Sequence, residues 1–172
     1  TADVTMFSTA DMAAIISKAI TGLSTSAVAA LSTDQVAALS TGAISNLTTA
    51  QIAAMGTAQI GALATAQIAA LKAAQIAGMS TNAITELSTA QIAALSTGAT
   101  ASLNTAQVAS LSTAQAEALS SDQVKALTSL QLSILGADDI ATFSTADIAA
   151  ITVSAVSGLS TSVLSSLSTD QV

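Results

Sequence analysis

The sequence predicts an all-α protein, an α-solenoid or superhelical coil of about 21 short capped helices, one per eight-residue repeat. Three observations carry this expectation. An apolar residue recurs at every eighth position, a second follows each of them five residues later, and the residues between spell a helix-start signal. Position one runs from Phe7 through Ile15, Leu23 and Leu31 to Leu159 and Leu167 without a break. Position six runs from Met12 and Ile20 to Val172, and only Thr100 and Ala116 depart from large aliphatics.

A single uninterrupted helix does not fit this period. At ~100° per residue an eight-residue step rotates the apolar stripe by ~80° and carries it round the cylinder within about five repeats. A strand fails because positions one and six would face opposite sides, and alanine and glutamine favour helix over strand. Interrupted helices keep the register.

Within the stretch LSTAQIAAL, residues 87–95, each position has a reason. Ser88 falls at the N-cap and Gln91 at N3, a capping box in which each side chain bonds the other's backbone N–H. Leu87 and Ile92 fall at N′ and N4, the two halves of a hydrophobic staple. Thr89 enters the first turn at N1 and should project outward. Ile92 and Leu95, three apart, share a face directed inward, with Leu87 beneath. Ala93 and Ala94 are small enough to form a floor on which neighbouring helices approach closely. Leu95 opens the next unit, so a corner is expected at each Leu-Ser, separating helices of roughly six or seven residues and about 10 Å. Such helices lie below the ~12–15 residues that persist alone, so each must stack on others.

A longer period lies inside the short one. Residues 2–36 and 138–172 are copies at an offset of 138 − 2 = 136 residues, or 17 octads: Phe7 and Phe143 are each followed by STAD, and the GLSTS and STDQV segments recur. Residues 1–172 therefore read as one octapeptide-repeat solenoid segment. Val4 and Val172 both stand at position six, so the segment begins and stops part-way through an octad, as a piece of a longer array would.

The composition narrows the function. Three lysines, no arginine and ten acids give a net charge of −7, which leaves no basic patch for phosphates, so neither nucleic acid nor an anionic bilayer is an expected partner. Serine, threonine or glutamine interrupts every apolar run before the ~20 residues that span a bilayer, so membrane insertion is not expected. The opening TADVTMFS has neither the basic start nor the apolar run of a signal peptide. The acids fall where a helix N-terminus favours them: Asp11, Asp139 and Asp147 at N3, and Asp34, Asp122, Asp138 and Asp170 at N2. No metal ligands are assigned among them. Lys18, Lys72 and Lys125 occupy three different octad positions, and Ser121 beside Lys125 is one chance pairing in a chain rich in hydroxyls. Without histidine, cysteine or tyrosine the common general bases and activated nucleophiles are missing. No catalytic, cofactor-binding or metal residue is assigned, and no enzyme is expected. Threonine at position three recurs from Thr25 to Thr65 and from Thr81 to Thr113. Stacked, these would give rows of hydroxyls, and a surface binding ice, glycan or mineral is the alternative function.

The L-[ST]-T-x-Q-[IV]-x-x motif, present along the whole chain, resembles the octapeptide arrays of large bacterial secreted or surface-exposed, adhesin-like proteins. That resemblance implies an extracellular or cell-surface location. With the architecture, it points to a non-enzymatic, elongated spacer or scaffold whose partners are the adjacent repeats of its own array, any extracellular ligand being unknown. LSTDQVAAL, residues 31–39, is similar to the helix start of TAL-effector repeats. Their base-reading loop and basic charge have no counterpart here, so DNA binding does not follow.

Overall fold

The computed structural model describes residues 4–172. Among them lie nineteen α-helices and two 3₁₀ helices, with no strand, in the predicted rhythm of one helical segment per octad. The α-helices are four to six residues long, at or just below the six or seven expected, because at least two residues of each octad are spent on the corner. Leu95 (φ −59°, ψ 136°) and Ser96 (φ −65°, ψ 154°) are both extended between two helical runs. The Leu95 N–H still donates to the Ile92 carbonyl at 3.1 Å, which closes the helix as the chain leaves it. No described residue has a positive φ. The corner therefore needs neither the left-handed glycine of common helix ends nor a proline.

The helix starts form as the capping box predicts. The Gln91 N–H donates to Ser88 Oγ at 3.2 Å, and the Ser88 N–H donates to Gln91 Oε1 at 2.7 Å. Either half is sufficient. Gly56, Ala64 and Lys72 have no capping hydroxyl, and there the glutamine half stands alone at 2.7 Å. At Ser24, Ser40, Ser80 and Ser96 the residue at N3 is alanine, and the serine half stands alone. Where both halves fail, the helix degrades. Ile16 occupies the cap position and Ala19 the N3 position, and that octad makes only the 3₁₀ helix Ala19–Gly22, with Ile16 left 71% exposed. Thr152 makes no capping bond and is followed by Ala155, and the helix between, Val153–Val156, is the shortest α-helix described. The last octad is a turn in which Ser168 N–H donates to Gln171 Oε1 at 2.8 Å, so Asp170 sits in a turn and not at N2 of a helix.

Each helix packs on the third helix before it: Thr89–Ala94 on Thr65–Ala69, Ser121–Ala126 on Thr97–Ala101, Thr161–Ser166 on Ala137–Ala141. One superhelical turn thus holds a little over three octads. Positions one, five and six face inward and build one continuous core, in which Leu87, Ile92 and Leu95 are all buried, as the staple required. Thr100 and Ala116 occupy position six and are as buried as the aliphatics they replace, the Thr100 hydroxyl donating to the Ser96 carbonyl at 3.2 Å.

The expected alanine floor is half right. Ala94 is partly buried and packed on the core, whereas Ala93 faces solvent. Position eight makes the close approach, and it makes it to position three of the earlier turn. A Cβ on Gly78 would strike the Thr49 side chain, one on Gly158 would strike the Ser129 backbone, and Ser102 Oγ donates to the Ala73 carbonyl at 2.9 Å. Each pair is 29 residues apart (78 − 49, 158 − 129, 102 − 73). Position seven lies on the outer face, where a Cβ on Gly61 would make only an ordinary contact, 3.7 Å from the Glu86 carbonyl.

Candidate functional site

The feature that recurs with the fold is a ladder of buried glutamines. All eleven glutamines of the chain stand at position five, and Gln107 is wholly buried. Gln107 Oε1 accepts from the Asn104 N–H at 2.8 Å, closing the start of its own helix. Gln107 Nε2 donates to the carbonyls of Ile76 and Met79 at 2.8 and 2.9 Å, across to the turn below. Ile76 lies in the last turn of the helix Ala73–Ala77, and Met79 is the corner that follows it. These are carbonyls at and just past a helix C-terminus, which lack the partner four residues on; that of Ile76 also accepts from the Met79 N–H at 3.1 Å, so the glutamine adds a second bond there.

The same geometry repeats up the coil. Gln75 Oε1 accepts from Lys72 at 2.7 Å, while its Nε2 donates to Ile44 and Leu47 at 2.9 and 2.7 Å. Gln35, Gln51, Gln59, Gln67, Gln115, Gln123 and Gln131 reach back 28 and 31 residues in the same way. Gln91 and Gln171 reach back 28 and 30. One primary amide joins two turns because it carries an acceptor and two donors at opposite corners of one plane. Glutamate has no donor, and asparagine is a methylene shorter. Among the described residues no buried side-chain nitrogen or oxygen lacks a partner.

The capping box accounts for Oε1 but not for Nε2, whose partners are some thirty residues away in sequence. A signal for the second role was present: the capping box accepts glutamate as readily as glutamine, and the helix dipole favours glutamate. Position five holds glutamine eleven times and glutamate never, as a role for the N–H₂ requires, while its aspartates fall in the octads that lack the ladder bond.

The acids lie where the sequence placed them, Asp170 apart. Asp34, Asp122 and Asp138 occupy first turns. Asp11 Oδ2 accepts from the Ser8 N–H and hydroxyl at 2.9 and 2.7 Å, and those two bonds, the hydroxyl foremost, hold its carboxyl below the ordinary carboxylate range. Asp139 accepts from the Gly136 N–H at 3.2 Å. Asp147 accepts from the Ser144 N–H and hydroxyl at 2.9 and 2.6 Å and, on its other oxygen, from Ser121 Oγ at 2.7 Å. Ser121 is thereby engaged by an acid of the next turn. Among the described residues no three acids gather as a metal group, no ligand-sized cavity opens, and no helix is long and apolar enough to cross a membrane. The position-three threonines are exposed, apart from the half-buried Thr81.

A chain in which one short supersecondary unit stacks on its own earlier turns through a recurrent set of bonds is an α-solenoid repeat protein. The particular family is that of the ALTTAQ repeat: the chain matches it in five overlapping or adjoining stretches, residues 4–41, 41–73, 60–97, 68–105 and 100–129, and belongs to it. Comparison with curated proteins and with solved structures finds no match.

Proposed function

We propose that the chain is a non-enzymatic structural module, an elongated spacer or scaffold within a large bacterial extracellular or surface protein. The observation that carries this reading is the glutamine ladder. Each glutamine-bearing turn bonds to the one below through the same atoms, so added octads lengthen the coil without altering its cross-section. At roughly 24–28 residues per turn the chain makes about six to seven turns, and at ~9 Å between packed helices it is about 60 Å long. The extracellular placement is supported by the likeness of the motif to the arrays of secreted and surface proteins.

Small-angle scattering tests the mechanical part. Chains with three octads added or removed should change in maximum dimension by about 9 Å each time, the spacing of packed helices, at constant cross-section. A dimension that does not scale with octad number defeats the spacer. Protease treatment of intact producing cells should release the repeat, and protection inside the cell defeats the surface placement. Thermal hysteresis or glycan binding, lost on Thr41→Lys with Thr49→Lys, would move the assignment to the hydroxyl surface.

A further inference from the structure

We propose that the turn formed by residues 135–166 is a built-in seam, the place where the superhelix opens first when the array is pulled or thermally loosened. Position five in its four octads holds Asp139, Asp147, Ala155 and Val163, so it contains no glutamine. Between Leu31 and Ile134 the ladder is also interrupted, at Ala43, Ala83 and Ala99, but each gap is single and flanked by octads that carry glutamine. Because a helix rests on the third helix before it, four consecutive octads exceed one full turn. The ladder is therefore missing all the way round.

The hydrogen bonds show the difference. Each ladder glutamine gives the turn below at least two bonds, as Gln123 does to Ile92 and Leu95, both at 2.8 Å. Across the seam a single side chain bonds down, Asp147 accepting from Ser121 Oγ at 2.7 Å. Neither aspartate can replace the amide, having no N–H and one methylene fewer. What remains is apolar packing of Leu135, Ile140, Phe143, Ile151, Ala155 and Val163, with Thr145–Ala150 packed closely on Ser121–Ala126 and Gly158 set against the Ser129 backbone. Above, Gln171 resumes the ladder on Ala141 and Phe143 at 3.4 and 2.7 Å. The seam also recurs in sequence. Position five of the first copy reads Asp3, Asp11, Ala19, Ala27 and then Gln35, matching Asp139, Asp147, Ala155, Val163 and Gln171 at the 136-residue offset. Wherever the block repeats, the coil is divided every 17 octads.

Native-state hydrogen exchange by mass spectrometry tests this on the full chain and on the chain lengthened at Val172 by its own residues 37–172. The register continues because Val172 is the counterpart of Val36. In the lengthened chain the seam is internal, so end fraying plays no part. Amides of residues 135–166 should exchange at least tenfold faster than those of residues 44–127 in both chains. Protection within twofold of the ladder turns in the lengthened chain overturns the proposal. Gln107→Ala with Gln115→Ala and Gln123→Ala, which extends the gap at Ala99 to four octads, should lower protection there to the level of the seam. Unchanged protection in that variant also overturns it, and if the variant does not fold, the comparison of the two unmutated chains still decides.

Discussion

Replacing Gln107 separates the two jobs of the ladder amide. Gln107→Ala removes three bonds, from the Asn104 N–H at 2.8 Å and to the Ile76 and Met79 carbonyls at 2.8 and 2.9 Å. At about 1 kcal/mol net per bond the cost is about 3 kcal/mol. The backbone accepts alanine at this position, as buried Ala99 shows one octad earlier, so little further distortion is expected. Gln107→Glu keeps the acceptor toward Asn104 but sets a carboxylate oxygen against two carbonyl oxygens in a wholly buried place. An uncompensated buried charge costs about 3–5 kcal/mol, so at neutral pH the glutamate variant should be less stable than the alanine variant. Burial and the facing carbonyls raise the glutamate's folded pKa above its unfolded value of about 4.3. The protonated form, which has an O–H to donate, is thus favoured by folding, and stability should return as pH falls through the raised value. Urea titration followed by circular dichroism at pH 7 and pH 5 reads both effects, the chain having neither tryptophan nor tyrosine to report by fluorescence. If Gln107→Glu is no worse than Gln107→Ala at pH 7, or gains nothing at pH 5, the donation across turns is not what holds this residue in place.

Gly158→Ala should cost about 1–3 kcal/mol as overpacking against the Ser129 backbone, while Gly22→Ala, at the matching place in the first copy with nothing within 4 Å of its Cβ, should leave the melting temperature unchanged or raised; equal effects would refute the contact. Ser88→Ala should cost about 1 kcal/mol, because Gln91 still closes the Ser88 N–H. Adding Gln91→Ala should strip Thr89–Ala94 of hydrogen-exchange protection, as the loss of both halves at Ile16 and Ala19 leaves only a 3₁₀ segment. The Asp11 carboxyl, lowered from 3.8 by the Ser8 hydroxyl and backbone bonds, contributes stability that is complete above its unfolded pKa and lost as pH falls through the lower folded value. The Ser8 amide shift in an NMR titration should therefore follow the carboxyl with a midpoint below 3.8, and a midpoint at or above that value would refute the bond.

The octad was legible because its information is local. Ser88 and Gln91 sit three residues apart, within reach of a capping box, and Leu87, Ile92 and Leu95 fall at spacings that one short helix puts on one face. Helix placement and the inward set followed from that. The ladder was not legible in the same way, because the Gln91 amide finds Gly61 and Leu63 only once the pitch of the coil is fixed, and pitch depends on packing between turns. Ala93 was misplaced for the same reason: which of two adjacent small residues meets the turn below depends on the direction of that turn. Ile16 shows the limit from the other side. The eight-residue period runs through it unbroken, yet without a hydroxyl at the cap or a glutamine at N3 the helix is reduced to 3₁₀. Period alone does not make the helix; the capping residues do.

A six-residue α-helix leaves as many as four N–H and four C=O groups without internal partners, so in this chain the ends outweigh the middles. The octad answers most of that demand with three side chains. Serine takes the N3 N–H, the glutamine of the same octad takes the N-cap N–H, and the glutamine of a later turn takes the C-terminal carbonyls. The last of these is not available to an octad by itself. A helix that lies beneath a ladder glutamine is completed by one four octads further along, as Ala73–Ala77 is by Gln107, so a glutamine-bearing turn finishes the bonding of the turn before it. Single losses such as Ala43 and Ala83 leave bonded neighbours on either side within the same turn, and the layers stay joined. Four losses in succession leave none. It follows that the arrangement of the glutamine gaps along the array, more than their number, decides how long a stretch of coil behaves as one body. Under that rule residues 4–134 form one such stretch, because Gln35, Gln51 and Gln59 bond the first turn to the one above it.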